Sequence, residues 1–393
     1  MSTTAESLTS ALRPTARTLP ESGIVKVFNH GRNKQGMIPM WAGEGDSPTP
    51  QFICEAAAKS MAAGETYYTA NRGIPDLRTA LARYFTKLYG QPFAMDEFFV
   101  TGGGMQAVQL AVQATCGPGD EVIVPAPAWP NFEGALAIHG AKVVTVAMTL
   151  GHDGWTLSLD RLFAAVTAKT RAIIINSPAN PTGWTASREE LKAILDFARA
   201  RGLWIIADEI YGRFYFNGPL APSFLEFRRP DDRLILVNTF SKNWAMTGWR
   251  IGWMQAPPAI GQIVESLIQY NTSGVATFMQ RGAIAALEEG EPFINLQLER
   301  AARGRDIVAK ALGAFNSVRS VPPAGAFYAF FAIDGLDDSM SAALRLVDEA
   351  AIGLAPGIAF GPAAEGHFRI CFLRSEPPLE EAMTRLSGWL KNR

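Results

Sequence analysis

An alternation constrains this chain more than any single motif. Short runs of β-branched and aromatic residues, EVIVPAP, AKVVTVAM, RAIIINSP, GLWIIADE and RLILVNTF, are separated by stretches with helical patterning. Apolar runs without polar alternation belong to strands covered on both faces. Such strands interleaved with helices predict an α/β fold, a mostly parallel sheet flanked by helices. One helix is bounded by its own chemistry: Ser187 and Glu190 form a capping-box pattern, LKAILDFARA follows, and Gly202 stops it.

The texture changes towards both ends. Residues 1–45 are rich in Pro, Gly and Thr and read as irregular. After about residue 290 a charged helical stretch, QLERAARGRDIVAKALGAF, precedes AFYAFFAI and FRICFL, the pattern of a smaller α+β unit. At 393 residues the chain is long enough for two cores. The expected division is a large domain over 46–290 and a small one over 291–393, joined by the N-terminal segment 1–45. No internal period suggests repeats.

The bulk numbers remove several function classes. A formal net charge of −1, with no Lys/Arg run, argues against a nucleic-acid partner. Cys54, Cys116 and Cys371 lie far apart with no CxxC pair, and the four histidines show no metal-ligand spacing, so no metal is expected. No apolar run is long enough to span a membrane, and MSTTAESLTSALRPTAR lacks the apolar core of a secretory leader. The expectation is a soluble, cytoplasmic protein with no membrane partner.

In open parallel sheets, ligands bind beyond the carboxyl ends of the strands, and four strand ends here carry chemistry. FFV leads into TGGGMQAVQLAVQ, where Gly102, Gly103 and Gly104 open a helix whose free N–H groups suit a phosphate. No GK[ST] follows, so the turn is not a Walker loop, and the GxGxxG pattern of a nicotinamide site is missing too. RAIIIN runs into Asn180-Pro181-Thr182-Gly183, good turn chemistry in its own right. GLWIIA ends in Asp208-Glu209-Ile210-Tyr211, and an acid after a buried strand is costly without a partner. RLILVN ends in Thr239-Phe240-Ser241-Lys242, with Arg250 following in TGWRIGW. Glu209 and Ser241 are explained by exposed or supporting positions. A lysine, a carboxylate, a phenol, an amide and an arginine beside a glycine turn suit one ligand well: pyridoxal 5′-phosphate. It needs an amine for its aldehyde, an anion for its ring nitrogen, donors for its phenolic oxygen, and N–H groups with arginine for its phosphate.

With SK-x3-MTGWR-x-G, NPTG, DEIY, YYTANRGIPDLR and FRICF in this order, the chain resembles the class I aminotransferases among the fold-type-I pyridoxal-phosphate enzymes, from SGI at residues 22–24 to FRICF at 368–372. The resemblance implies that Lys242 carries the cofactor as an internal aldimine and then shuttles a proton. Asp208 would face the ring nitrogen, and Tyr211 and Asn180 the phenolic oxygen. Trp129 would stack on the ring. Gly103, Gly104, Met105, Thr239 and Arg250 would hold the phosphate, with Tyr68 reaching it from the second subunit of a homodimer. Arg369 would clamp the substrate α-carboxylate with help from the Gly43 backbone. The implied reaction moves an amino group from an L-amino acid to a 2-oxo acid by a ping-pong mechanism. Met105 occupies the glycine-turn position where aspartate-specific relatives often carry lysine. Together with Trp41, Trp129 and Phe360 it points to neutral rather than acidic side chains, unless a mobile arginine such as Arg32 or Arg281 supplies a charge. A β-lyase (C–S lyase) or related α-carbon chemistry of the aminocyclopropane-carboxylate-synthase kind with the same cofactor, and a non-enzymatic sensor domain, remain as alternatives.

Overall fold

The computed structural model describes residues 4–19 and 21–392. Its main sheet has seven strands: β1 (Phe98–Thr101), β2 (Glu121–Ala126), β3 (Lys142–Ala147), β4 (Thr170–Asn176), β5 (Trp204–Asp208), β6 (Leu234–Thr239) and β7 (Gly252–Gln255). Their order across the sheet is β1-β7-β6-β5-β4-β2-β3. β7 runs antiparallel between β1 and β6; the other pairings are parallel.

Period-two geometry explains the continuous apolar runs. Ile173, Ile175, Ile205, Ala207, Leu234 and Leu236 face one core, while Ala172, Ile174, Ile206, Ile235 and Val237 face the other. The apolar stretches 172–175, 205–207 and 234–237 therefore meet a packed layer on both faces. The helix Arg188–Arg201 lays Leu191, Ile194, Leu195 and Ala198 on the first core. Its ends follow the pattern read in the sequence. Ser187 Oγ accepts from Glu190 N at 3.1 Å, Glu190 Oε2 accepts from Ser187 N at 2.7 Å, and Gly202 ends the helix at φ 64°. The helix Gly104–Thr115 covers the second core with Ala107, Val108, Leu110, Ala111 and Val112.

A smaller antiparallel sheet has β8 (Val318–Arg319), β9 (Tyr328–Ile333), β10 (Ala355–Pro356) and β11 (His367–Cys371), ordered β8-β9-β11-β10. Its core contains Val27, Met40 and Trp41 from near the N-terminus beside Phe331, Ile370 and Leu386 from the C-terminal part. Ile38–Pro39 also pairs in parallel with Ile352–Gly353. The helix Glu291–Leu312 joins the two layers, with Ile294 in a core of the large sheet and Ala301, Val308 and Leu312 in that of the small one.

The N-terminal segment is not irregular, as its composition suggested. Helices span Thr4–Ala11, Pro14–Arg17 and Gly23–Gly31. The last is capped by Ser22, whose Oγ accepts from Val25 N at 3.4 Å. It packs so closely on Trp41 that a Cβ at Gly31 would lie 2.8 Å from the indole. Tertiary docking outweighs the weak helix propensity of its two glycines. Among the described residues, no helix is long and apolar enough to cross a membrane.

Candidate active site

The carboxyl ends of β1, β4, β5 and β6 open onto a cavity of about 480 Å³, roofed by Ile24, by residues 41–44 and by Tyr328 and Arg369 of the small sheet. β5 delivers Asp208 to its floor at 2% exposure. Asp208 Oδ1 accepts from Ile210 N at 3.3 Å, and the carboxylate has no ion-pair partner among the described residues. Burial raises its pKa to about 7, against the opposing pull of the Ile210 amide, the Lys242 charge and the Asn176 side chain.

β6 ends at Thr239, whose Oγ1 caps the turn Phe240–Asn243 by accepting from Ser241 N at 3.2 Å. That turn presents Lys242 to the cavity, where Nζ donates to Gly43 O at 2.6 Å. Burial lowers the ammonium to about 8, with Arg369 and Arg250 adding to the effect. An amine of that pKa remains mostly protonated near physiological pH but keeps a far larger neutral, nucleophilic fraction than an ordinary lysine.

At the end of β1, Gly103 takes φ +87°, and a Cβ there would lie 2.8 Å from Arg250 Nη2. Only glycine lets the start of the helix Gly104–Thr115 sit this close to the guanidinium. Arg250 itself holds φ 51°, which costs a side-chain-bearing residue on the order of 1–3 kcal/mol and is tolerated where the surroundings fix it. Its Nη1 donates to Thr247 O at 2.6 Å. Helix-start N–H groups facing a guanidinium form an anion cradle.

Arg369 lies on β11 opposite Phe330 of β9 and is 2% exposed. Nη1 donates to Asn180 Oδ1 at 2.9 Å and Nη2 to Trp41 O, while Nε has no partner. The guanidinium sits 4.5 Å from the Tyr328 ring centroid and 5.1 Å from that of Phe360. No carboxylate of the described residues pairs with it. A buried cation with no anion is costly, so the site is built for an anion from outside the chain.

Most residues anticipated for the site thus meet: Gly43, Gly104, Met105, Trp129, Asn180, Asp208, Tyr211, Thr239, Lys242, Arg250 and Arg369 line one cavity, with Gly103 directly behind Arg250. Tyr68 does not join them; it is 97% exposed. Phe360 lies behind Arg369 instead of on the wall, and Arg281 is held by Glu65 and Asp76. Glu209 is buried, which leaves the supporting position of the two allowed for it and removes the exposed one. Ser223 Oγ donates to it at 2.6 Å and Phe224 N at 3.0 Å, and burial pushes it up to about 8. Ser241 is buried as well, 2.9 Å from Thr239 Oγ1.

Sequence reasoning missed Asn176, Glu44 and Tyr328, all on the cavity. Asn176 could have been found, since it closes RAIIIN at a strand end. Tyr328 could not, because a tyrosine inside AFYAFFAI reads as core.

The fold and the groups gathered at its sheet edge define an enzyme. Residues 36–386 match the family model described as aminotransferase class I and II. The chain is 33% identical to an aspartate aminotransferase of Pyrococcus horikoshii over 95% of each chain. It is 35% identical to an aromatic-amino-acid aminotransferase of Thermococcus litoralis, over 95% of this chain and 96% of that one. Among solved structures, the alanine aminotransferase of Pyrococcus furiosus superposes with a TM-score of 0.91 at 29% identity, over 97% of this chain and 100% of the other. The chain belongs to the class I and II aminotransferase family and is an aminotransferase.

Proposed function

We propose that the protein moves the amino group of an L-amino acid to a 2-oxo acid, using pyridoxal 5′-phosphate, in two half-reactions at one site. The observation that carries this reading is the meeting of Lys242 and Asp208 in one cavity, at the ends of neighbouring strands.

The residues present fit that cofactor. Asp208, buried without a cation in contact, suits a protonated ring nitrogen. The amides at Gly104 and Met105, with Thr239 and Arg250, suit the phosphate; Gly103, expected to donate there too, spends its N–H on Thr101 O at 2.8 Å and serves by bringing the turn close to Arg250. Tyr211 and Asn180 would serve the phenolic oxygen, and Trp129 the ring face. When bound, the cofactor supplies an aldehyde and an electron-withdrawing ring. This chain's residues supply the rest. Arg369, oriented by Asn180, binds the α-carboxylate beside Gly43. Lys242, with a pKa near 8, takes up and returns the α-proton. One carboxylate clamp serves donor and acceptor in turn, hence a ping-pong order.

The wall left for the side chain is Ile24, Trp41, Met105 and Trp129. The cations on the cavity, Lys242, Arg250 and Arg369, already have tasks, so a second carboxylate would be buried without a partner. Neutral donors are therefore favoured. The relatives, named for aspartate, aromatic amino acids and alanine, leave that choice to this chain's own wall. Tyr67, Tyr68 and Tyr270 stand 86–97% exposed, which supports a second copy covering them in a cytoplasmic homodimer with shared sites. Separate cores around the two sheets support domains that divide near residues 45 and 290.

The test is to add single amino acids to cofactor-loaded protein. A donor should change the absorbance until a 2-oxo acid restores it. Pyruvate and ammonia released without an oxo acid would contradict the reading and indicate a lyase.

A further inference from the structure

Tyr328 belongs to no expected role, yet it touches three functional groups. It is fully buried at the start of β9, opposite Cys371. Its hydroxyl lies 2.7 Å from that of Tyr211, with the rings edge to face at 5.5 Å. Arg369 stacks 4.5 Å from its ring centroid. Above it runs the segment carrying Gly43, where a Cβ would lie only 2.5 Å from the Tyr328 hydroxyl. Arg369 on one face and Gly43 above leave this ring little freedom.

We infer that Tyr328 is a positioning residue that acts through Tyr211: it donates the hydrogen bond that makes Tyr211 a stronger donor to the cofactor's phenolic oxygen. The inference rests on the cofactor reading above. Proton counting leads to it. Each phenol has one proton, burial holds both well above the ordinary tyrosine range, and among the described residues neither makes another hydrogen bond. If Tyr211 gives its proton to the phenolic oxygen, the 2.7 Å contact survives only with Tyr328 as the donor. The cation over its ring draws electron density inward and makes Tyr328 a better donor. Bonds in such a chain reinforce one another in a low-dielectric interior. The carboxylate clamp and the cofactor's phenol end are thereby joined through two tyrosines.

The test is a pH titration of the absorbance of cofactor-loaded protein in wild type, Tyr328→Phe, Tyr211→Phe and the double variant. Phenylalanine keeps the ring and its stack under Arg369 and removes only the hydroxyl. With the cofactor bound through Lys242, the proton on the linking nitrogen would be shared with the phenolic oxygen, so weaker donation from Tyr211 to that oxygen would hold the proton more tightly. Tyr328→Phe should raise the chromophore's pKa by about half a unit and Tyr211→Phe should raise it further. Adding Tyr328→Phe to Tyr211→Phe should change nothing more, because the intermediary is gone. An unshifted pKa in Tyr328→Phe, or an equal shift with and without the Tyr211 hydroxyl, overturns the inference while the cofactor assignment stands. A wild-type protein that forms no chromophore with the cofactor overturns both.

Discussion

Arg369 donates from Nη1 to Asn180 Oδ1 across 2.9 Å, and this contact sets the plane of a buried guanidinium that no carboxylate of the described residues neutralises. Arg369→Leu should cut kcat/KM for all amino acids by roughly 3–5 kcal/mol, because the incoming carboxylate would be buried unpaired. Asn180→Ala should cost less and act mainly on KM, since the cation stays but its orientation is freed. Steady-state kinetics on one good donor checks both; an unchanged KM in Arg369→Leu would place the carboxylate elsewhere.

Asp208 should affect stability and turnover in opposite directions. Its folded pKa of about 7 lies above the ordinary 3.8, so the folded protein binds the extra proton between those values. Stability is therefore lost as pH rises through that window, and the penalty is fully present above about 7. In the cofactor-free protein, Asp208→Asn should gain on wild type by about 2–4 kcal/mol between pH 4 and 8. In the loaded enzyme the same variant should lose several orders of magnitude in turnover, because an amide cannot hold the ring proton. Denaturant melts at the two pH values, with parallel assays, check this; a pH-independent stability difference would contradict it.

Met105 stands on the side-chain wall, its sulfur 3.5 Å from Asn131 Nδ2. Met105→Lys would place a cation where the wall has none. The ratio of kcat/KM for aspartate to that for methionine should rise about tenfold or more, on the order of the 1.4 kcal/mol or greater expected of a charge-assisted hydrogen bond. A wild-type enzyme that already prefers aspartate would reject this account of the wall.

Tyr68 is 97% exposed and sits outside the cavity of its own chain. In a homodimer with shared sites, subunits carrying Tyr68→Ala and Lys242→Ala should complement. Each hybrid dimer would hold one site with both native residues. Activity after mixing should exceed the average of the separate variants; a strict average would mean that the sites are not shared.

The parts of the fold set by local rules were legible in the sequence. Strand cores such as AIII (172–175) and LILV (234–237) announce themselves because every residue is buried, and the helix from Arg188 is written in its Ser187 and Gly202 ends. The helix Gly23–Gly31 was not legible, since glycines at both ends conceal a helix that docking on Trp41 stabilises. The same division holds at the site. Lys242, Asp208 and Arg369 stand out because charge beside buried strands is expensive. Tyr328 and Glu209 do not, since their meaning depends on partners, Tyr211 and Ser223, that only the folded chain brings close.

The most direct test of the central claim is chemical. Protein loaded with pyridoxal 5′-phosphate, reduced with borohydride and digested, should carry the phosphopyridoxyl label on the peptide containing Lys242, and Lys242→Ala should carry none at that position. The amine of Lys242 faces the cavity with a pKa lowered to about 8, which suits it to bond the aldehyde. A label on another lysine, or a reduced wild-type protein without label, would contradict the account.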